Sequence, residues 1–302
     1  MRRIFEMTGI ICINKEKDIT SFGVCAKVRG ITGEKKCGHT GTLDPMAQGV
    51  LPVMLGGATR FLDYLPDSDK SYRASFVLGK TTDTLDITGN VTAEYNVSAD
   101  KADILQALSS FRGRVMQVPP MYSAVSVNGT RLYDLARKGI EIERKAREVE
   151  IKKLELVNEE NGEYVIDVFC SKGTYIRTLI DDLGRMLGCG AVMTALVRTS
   201  AMGFCLESCV AIDELQHRKD NNIGFDDILL PVDQALYSYD TVAVSAAQSV
   251  RFRNGGALDL VRIKKRLMEN DIYRVYDPNG NFLGLGRATE NELKVERIYI
   301  NK

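Results

Sequence analysis

Residues 37–60, CGHTGTLDPMAQGVLPVMLGGATR, hold the densest chemistry in this 302-residue chain. Gly38, Thr40, Gly41 and Thr42 make a flexible polar loop that ends at Asp44-Pro45. Proline disfavours the helical conformation of the residue before it, so Asp44 is held extended or in a turn. The apolar run 50–55 follows and reads as a buried strand. A carboxylate fixed at the mouth of a strand can act as nucleophile or general base and needs no metal for either. The same aspartate can cap a helix or a turn, the commoner use of an Asp-Pro step. A phosphate-binding loop is a third possibility, but the GxxxxGKS or GxxxxGKT pattern is absent.

Other reactive side chains are sparse. With only two histidines, His39 and His217, imidazole chemistry is disfavoured unless His39 is the base. The seven cysteines form no CxxC, and Cys205 and Cys209 make a lone CxxxC. A structural zinc site needs about four Cys or His ligands at short spacing, so no metal site is expected. Free, mostly buried thiols suit a reducing compartment.

The elements that must position these residues come from periodicity. Thr20 or Ser21 can cap a helix running to about Gly30. YRASFVL from Tyr72 alternates as a strand, as does EYVIDVFC at 163–170. Ile104, Leu105, Leu108 and Phe111 share one helical face. Thr174 is a candidate cap for the next helix, whose stripe is Ile176, Leu179, Ile180, Leu183 and Leu187. Strands and helices mix without a βαβ rhythm, which predicts an α+β fold around a largely antiparallel sheet. Strands at 271–277, 282–288 and 294–300, with a turn at Asp277-Pro278-Asn279-Gly280, predict a small β-rich module at the end.

Forty-four percent hydrophobic and 26% charged residues exclude a disordered chain, a collagen-like repeat and a disulfide miniprotein. No run of about eighteen apolar residues exists, and charges at Glu6, Lys15 and Asp18 break any signal-peptide core, so a cytoplasmic protein is expected. Forty basic and forty acidic side chains cancel, which argues against binding nucleic acid through bulk charge. They are nonetheless segregated: residues 112–147 carry eight basic and three acidic side chains, and 249–266 six and one. That pattern fits either a neutral protein with one basic face or chance clustering.

GHTGTLDPMAQGVLP resembles the signature motif of the TruB family of tRNA pseudouridine synthases. GIICINKEKDITSF at 9–22 resembles the family's opening segment, with Glu16 where that segment usually has proline. KSYRASFVLGKTTDTLDITG at 70–89, QVPPMYSAVSVNGTRLYDLARKG at 117–139, CSKGTYIRTLIDDLG at 170–184 and ALVRTSAMGF at 195–204 resemble its later motifs in order. The likeness covers nearly the whole chain. It implies a pseudouridine synthase fold with a mostly antiparallel central sheet flanked by helices, and a PUA-like RNA-binding domain. The boundaries implied are a catalytic domain at 1–240, an RNA-gripping insertion at about 117–147, and the second domain at 241–302.

The resemblance also implies roles. Asp44 matches the catalytic aspartate and Arg177 the basic residue that pairs with it. Tyr72 matches a tyrosine that stacks on the target base and takes part in removing its C5 proton. Tyr175 and Leu196 match members of the uracil pocket, and His39 a residue set against the RNA near the flipped nucleotide. Arg131, Arg137, Lys138 and Arg144 are implied to clamp RNA phosphates, with Lys145 and Arg147 beside them. The reaction implied is isomerisation of uridine 55 in the T-loop of tRNA, without a cofactor, by a monomer with no obligate protein partner. A non-catalytic RNA-binding or RNA-folding factor is the alternative, and a guide-RNA-dependent relative is a third. The charge and Val127-Asn128-Gly129-Thr130 of the insertion predict a segment that moves.

Overall fold

The computed structural model describes residues 7–66, 68–127 and 129–300. Glu6 and Asn128, on which parts of the sequence reading rest, lie outside the described residues.

Seven strands carry the central sheet: β1 (Gly9–Lys15), β2 (Gln48–Leu55), β3 (Lys70–Leu78), β4 (Gly113–Gln117), β5 (Arg147–Glu160), β6 (Glu163–Cys170) and β7 (Ala191–Ala201). Their order is β1-β2-β7-β3-β6-β5-β4, with short strands Cys37–His39 on β2 and Phe204–Cys205 on β7. Every pairing in this sheet is antiparallel except one. β7 meets β2 in parallel through only two residue pairs, Val197 with Gln48 and Arg198 with Gly49. The loop that bears Asp44 runs into β2 at this seam.

Helix α1 (Ser21–Thr32) starts where Thr20 Oγ1 accepts from the Gly23 amide, and ends at Gly33 in the left-handed region. Helix α2 (Lys101–Ser110) buries Ile104, Ala107 and Leu108. Leu105, expected on that face, is 48% exposed, because the burying stripe runs through Ala107 instead. Helix α3 (Leu132–Ala136) is a single short turn within the insertion. Helix α4 (Ile176–Met186) buries Ile176, Leu179, Ile180 and Leu183 against β7, as the stripe predicts. Thr174 does not cap it. Its hydroxyl donates to the Ser171 carbonyl at 3.0 Å, and Tyr175 holds the cap position without a side-chain bond.

A second sheet follows helix α5 (Ile212–Asp220) and contains β8 (Asp240–Ala243), β9 (Leu258–Asp259), β10 (Ile272–Tyr276), β11 (Phe282–Ala288) and β12 (Glu292–Ile298), in the order β8-β10-β11-β12-β9. Helix α6 (Ala246–Arg253) packs on it, and Val242, Phe252, Val275, Leu283 and Leu293 form its core. Asp277 builds the expected turn by accepting from the amides of Asn279 and Asn281, both at 2.9 Å. The last strand begins two residues before the predicted one. The two sheets share apolar contacts: Leu285 joins Ile10, Met54 and Phe61 in one cluster, and the Phe61 and Phe282 rings lie 5.7 Å apart.

Candidate active site

The Asp44 loop is built by three buried donors. Ser21 Oγ, on the first residue of α1, accepts from the Leu43 amide at 2.8 Å and donates to the Leu43 carbonyl at 3.1 Å. Lys15 is fully buried at the end of β1, and its ammonium donates to the carbonyls of Glu16, Pro45 and Ala47 at 2.9, 3.0 and 2.5 Å. Arg198 in β7 donates to Val50, Gly41 and Thr42 carbonyls at 2.8, 3.2 and 3.4 Å. Both sides of the Asp44-Pro45 step are thereby tied down. Buried cations that have no carboxylate partner need such carbonyls to replace water.

Arg177 reaches the aspartate from the first turn of α4. Its Nε lies 2.8 Å from Asp44 Oδ2, with Arg177 4% exposed and the Asp44 side chain 32% exposed. The rest of the guanidinium is spoken for: Nη1 donates to Thr84 O at 3.0 Å and Nη2 to Tyr122 O at 2.8 Å. Asp86 Oδ2 stands 3.8 Å from Nη1. Asp86 is itself buried and accepts from Thr84 Oγ1, the Thr88 amide and Thr88 Oγ1 at 2.9, 3.0 and 2.5 Å. Burial raises the Asp44 pKa above its ordinary value, and the charge of Asp86 adds to that; Arg177 and Lys15 pull it back down.

Asp44 opens into a cavity of about 250 Å³. Tyr72, Tyr175, Leu196 and Arg177 line it, with Lys70, Ser123 and Thr174. Tyr72 and Leu196 come from neighbouring strands, β3 and β7, in which Tyr72 pairs with Arg198 and Ala74 with Leu196. Burial pushes the Tyr72 phenol up to about 12, so it stays protonated at neutral pH. Tyr175 is held by its backbone: its amide donates to Gln117 Oε1 at 2.7 Å and its carbonyl accepts from Gln117 Nε2 at 3.0 Å. A larger cavity of about 630 Å³ opens beneath the insertion, but Asp44 and Tyr72 do not line it.

A carboxylate paired with a buried guanidinium, beside an aromatic ring in a base-sized cleft, is the arrangement the sequence motifs imply. The comparisons show the family. Residues 29–176 match the amino-terminal domain of the TruB family of pseudouridylate synthases. Residues 177–237 match a tRNA pseudouridylate synthase B carboxy-terminal domain, and 241–298 a further TruB carboxy-terminal domain. A relative called tRNA pseudouridine synthase B from Clostridium kluyveri is 42% identical over 97% of this chain and 100% of its own. The chain belongs to the TruB family. A Pseudomonas fluorescens protein of the same name is 43% identical over 94% of this chain and 93% of its own. Among solved structures, one titled as a Cbf5-Nop10-Gar1 complex aligns with a TM-score of 0.75 and 25% identity, covering 99% of this chain and 88% of that one. The α+β fold expected from sequence is therefore the fold of the TruB family and of this neighbour.

Not every residue singled out by the TruB motifs meets at the cavity. His39, on its short strand, lines a separate hollow of about 340 Å³ with Leu62, Pro66, Met202 and Lys172, which touches the first only through Lys70. Burial and the Arg198 charge lower its pKa, which favours the neutral imidazole at pH 7, and its buried Nδ1 has no hydrogen-bond partner among the described residues. In the insertion, Arg131, Arg137 and Lys138 are exposed, and Arg137 lies over the Tyr133 ring at 5.6 Å. Arg131 donates to the Ala124 carbonyl. Arg144 is more confined, with 22% of its side chain exposed and bonds to Glu141 and the Pro119 carbonyl at 2.9 and 3.3 Å.

Lys15, Asp86 and Arg198 are functional candidates that sequence reasoning passed over. All three lie inside the TruB-like motifs. The missed signal was charge within otherwise apolar strands or beside a buried turn, since a charged residue there is rarely buried without a partner.

Proposed function

We propose that this chain isomerises uridine to pseudouridine in tRNA, with uridine 55 of the T-loop as target and Asp44 as the catalytic carboxylate. The observation that carries this reading is the 2.8 Å pair between Asp44 and buried Arg177 at a cavity walled by Tyr72, Tyr175 and Leu196. In the reaction the N-glycosidic bond breaks, the uracil turns, C5 bonds to ribose C1′, the C5 proton leaves, and the freed N1 takes up a proton. Nothing is gained or lost by the nucleotide overall, so no redox partner or group donor enters the balance.

Arg177 keeps Asp44 ionised and aimed, against the burial that favours the neutral acid. The uridine has to leave its stack first, at a cost of about a few kcal/mol. Stacking on Tyr72 returns about 1–3 kcal/mol of that. As a protonated phenol, Tyr72 serves as platform and hydrogen-bond donor in the ground state. Tyr175 and Leu196 shape the uracil pocket, and neutral His39 packs near the flipped nucleotide from its adjoining hollow. Arg131, Arg137, Lys138 and Arg144 grip the T-arm backbone. Residues 1–240 then form the catalytic domain and 241–302 a PUA-like module that binds RNA. The protein works as a monomer in the cytoplasm; no described helix is long and apolar enough to cross a membrane.

The test uses unmodified tRNA carrying tritium at uridine C5. Wild-type protein is expected to release tritium, and Asp44→Asn to release none while binding tRNA within about threefold of wild type. Equal release by both proteins excludes Asp44 as catalyst. No release by wild-type protein leaves a non-catalytic RNA-binding factor. Cytidine at position 55 should abolish release if the target is right.

A further inference from the structure

We propose that Arg198 is a positioning residue for the isomerisation, fixing the Asp44 loop and the Tyr72 ring in one mutual geometry. This rests on Asp44 being the catalytic carboxylate.

Arg198 is 1% exposed, and it heads the largest fully buried side chains of the molecule. Burying a cation costs heavily unless it is paired, and no carboxylate pairs with this one among the described residues. Its fork is spent on main-chain oxygens. The Gly41 and Thr42 carbonyls lie just before Asp44 in the chain, and the Val50 carbonyl lies after it, inside β2. One planar group thus brackets the aspartate from both sides, and a guanidinium can do so because its donors point in fixed, divergent directions. Tyr72 is the partner of Arg198 across the β3–β7 pairing, and the Arg198 charge lies close enough to act on its phenol.

The backbone of Arg198 is as constrained as its side chain. On the β2 side it faces Gly49, whose φ is +103° and whose absent Cβ would stand 2.2 Å from the Arg198 carbonyl oxygen. No other residue allows that approach. Side chain and main chain together make Arg198 the point where the Asp44 loop, β2, β7 and Tyr72 are registered to one another.

Stability alone does not call for this arrangement. A well-packed apolar residue of similar volume commonly stabilises an interior as well as a buried ion does, or better. What the arginine adds is placement. A misplacement of reacting groups by about 1 Å can cost a hundredfold in rate.

The experiment compares Arg198→Met, Arg198→Lys, Leu108→Ala and Asp44→Asn in the full-length chain, by tritium release from tRNA and by thermal unfolding. Leu108 is buried in α2, away from the cavity, and controls for lost stability. Arg198→Met is expected to lose about a hundredfold in kcat with KM for tRNA within about threefold. Arg198→Lys, which keeps the charge but not the fork, should recover about tenfold of that loss. Leu108→Ala should lower Tm with kcat unchanged. If Arg198→Met does not fold, Arg198→Lys carries the test, and a wild-type kcat in it overturns the proposal. Wild-type kcat in Arg198→Met, or a kcat loss in Leu108→Ala that tracks Tm equally, overturns it too. If Asp44→Asn is inactive while Arg198→Met is fully active, only the positioning role fails. If Asp44→Asn is active, the catalytic reading falls and the positioning role falls with it.

Discussion

Two buried arginines bear on the Asp44 loop, and among the described residues only one of them meets carboxylates. Arg177, at the start of α4, donates to two carbonyls but also faces two carboxylates, Asp44 at 2.8 Å and Asp86 at 3.8 Å. Arg198, at the β2–β7 seam, faces the carbonyls of residues 41, 42 and 50. The first sits where a charge is used, and its positive field sets how readily Asp44 ionises. The second sits where a shape is held, and its hydrogen bonds decide where Asp44 points. The same side chain therefore performs an electrostatic task in one place and a geometric one in the other. The partners reveal which, because carboxylates respond to charge and carbonyls respond mainly to direction.

Replacing Arg177 tests the electrostatic half most severely. Arg177→Met should cost about a thousandfold in kcat, more than the loss expected at Arg198. It should also move the pH dependence. With Asp44 as the proposed catalytic carboxylate, its ionised form is the reactive one, so the rate of wild-type protein should fall as pH drops through an Asp44 pKa already above its ordinary value. Without the guanidinium that pKa rises further, and the acid limb of kcat must shift to higher pH. A pH–rate profile of single turnovers measures this, and an unmoved limb would falsify the electrostatic role. Arg198→Met should leave the limb nearly in place, which separates the two arginines by a second readout.

A gentler probe of the same half is Asp86→Asn. Asp86 raises the Asp44 pKa, so its neutralisation should move the acid limb to lower pH, opposite to Arg177→Met. It also loosens Arg177, and a fall in kcat of about tenfold is expected, roughly 1.4 kcal/mol of transition-state stabilisation. A shift of the limb in the same direction for both variants breaks the scheme. The smallest effect takes a guanidinium outside the pair altogether. Arg137→Ala removes an exposed cation of the insertion, and tRNA binding measured against salt should lose about 0.7 to 0.9 from its log–log slope, with kcat unchanged. An unchanged slope places Arg137 off the RNA.

Much of this was legible in the sequence, and each illegible part has a physical cause. The Asp-Pro step located a held carboxylate, and the motifs located Arg177, Tyr72, Tyr175 and Leu196, which meet at one cavity. The strand alternation from Tyr72 and the stripe of α4 gave the elements that carry them. Lys15 and Arg198 stayed hidden because their partners are carbonyls, which every residue owns, so no residue type announces the contact. Asp86 stayed hidden because its partner, Arg177, lies far along the chain. Local hydrogen bonding also misled. Thr174 looks like a helix cap, yet its hydroxyl finds the Ser171 carbonyl first. Leu105 looks like core, yet Ala107 takes the burying stripe and leaves it outside.

The parallel seam between β2 and β7 has a consequence for how the enzyme comes into being. It joins Gly49 to Arg198 through two rungs, so it closes a very long stretch of polypeptide for little hydrogen bonding. Such a distant closure is entropically expensive and slow to nucleate. A growing chain that has emerged only as far as α4 already owns Asp44 and Arg177, but it lacks the clasp that registers them. Activity in a nascent chain is thus expected only after β7 has paired with both β3 and β2.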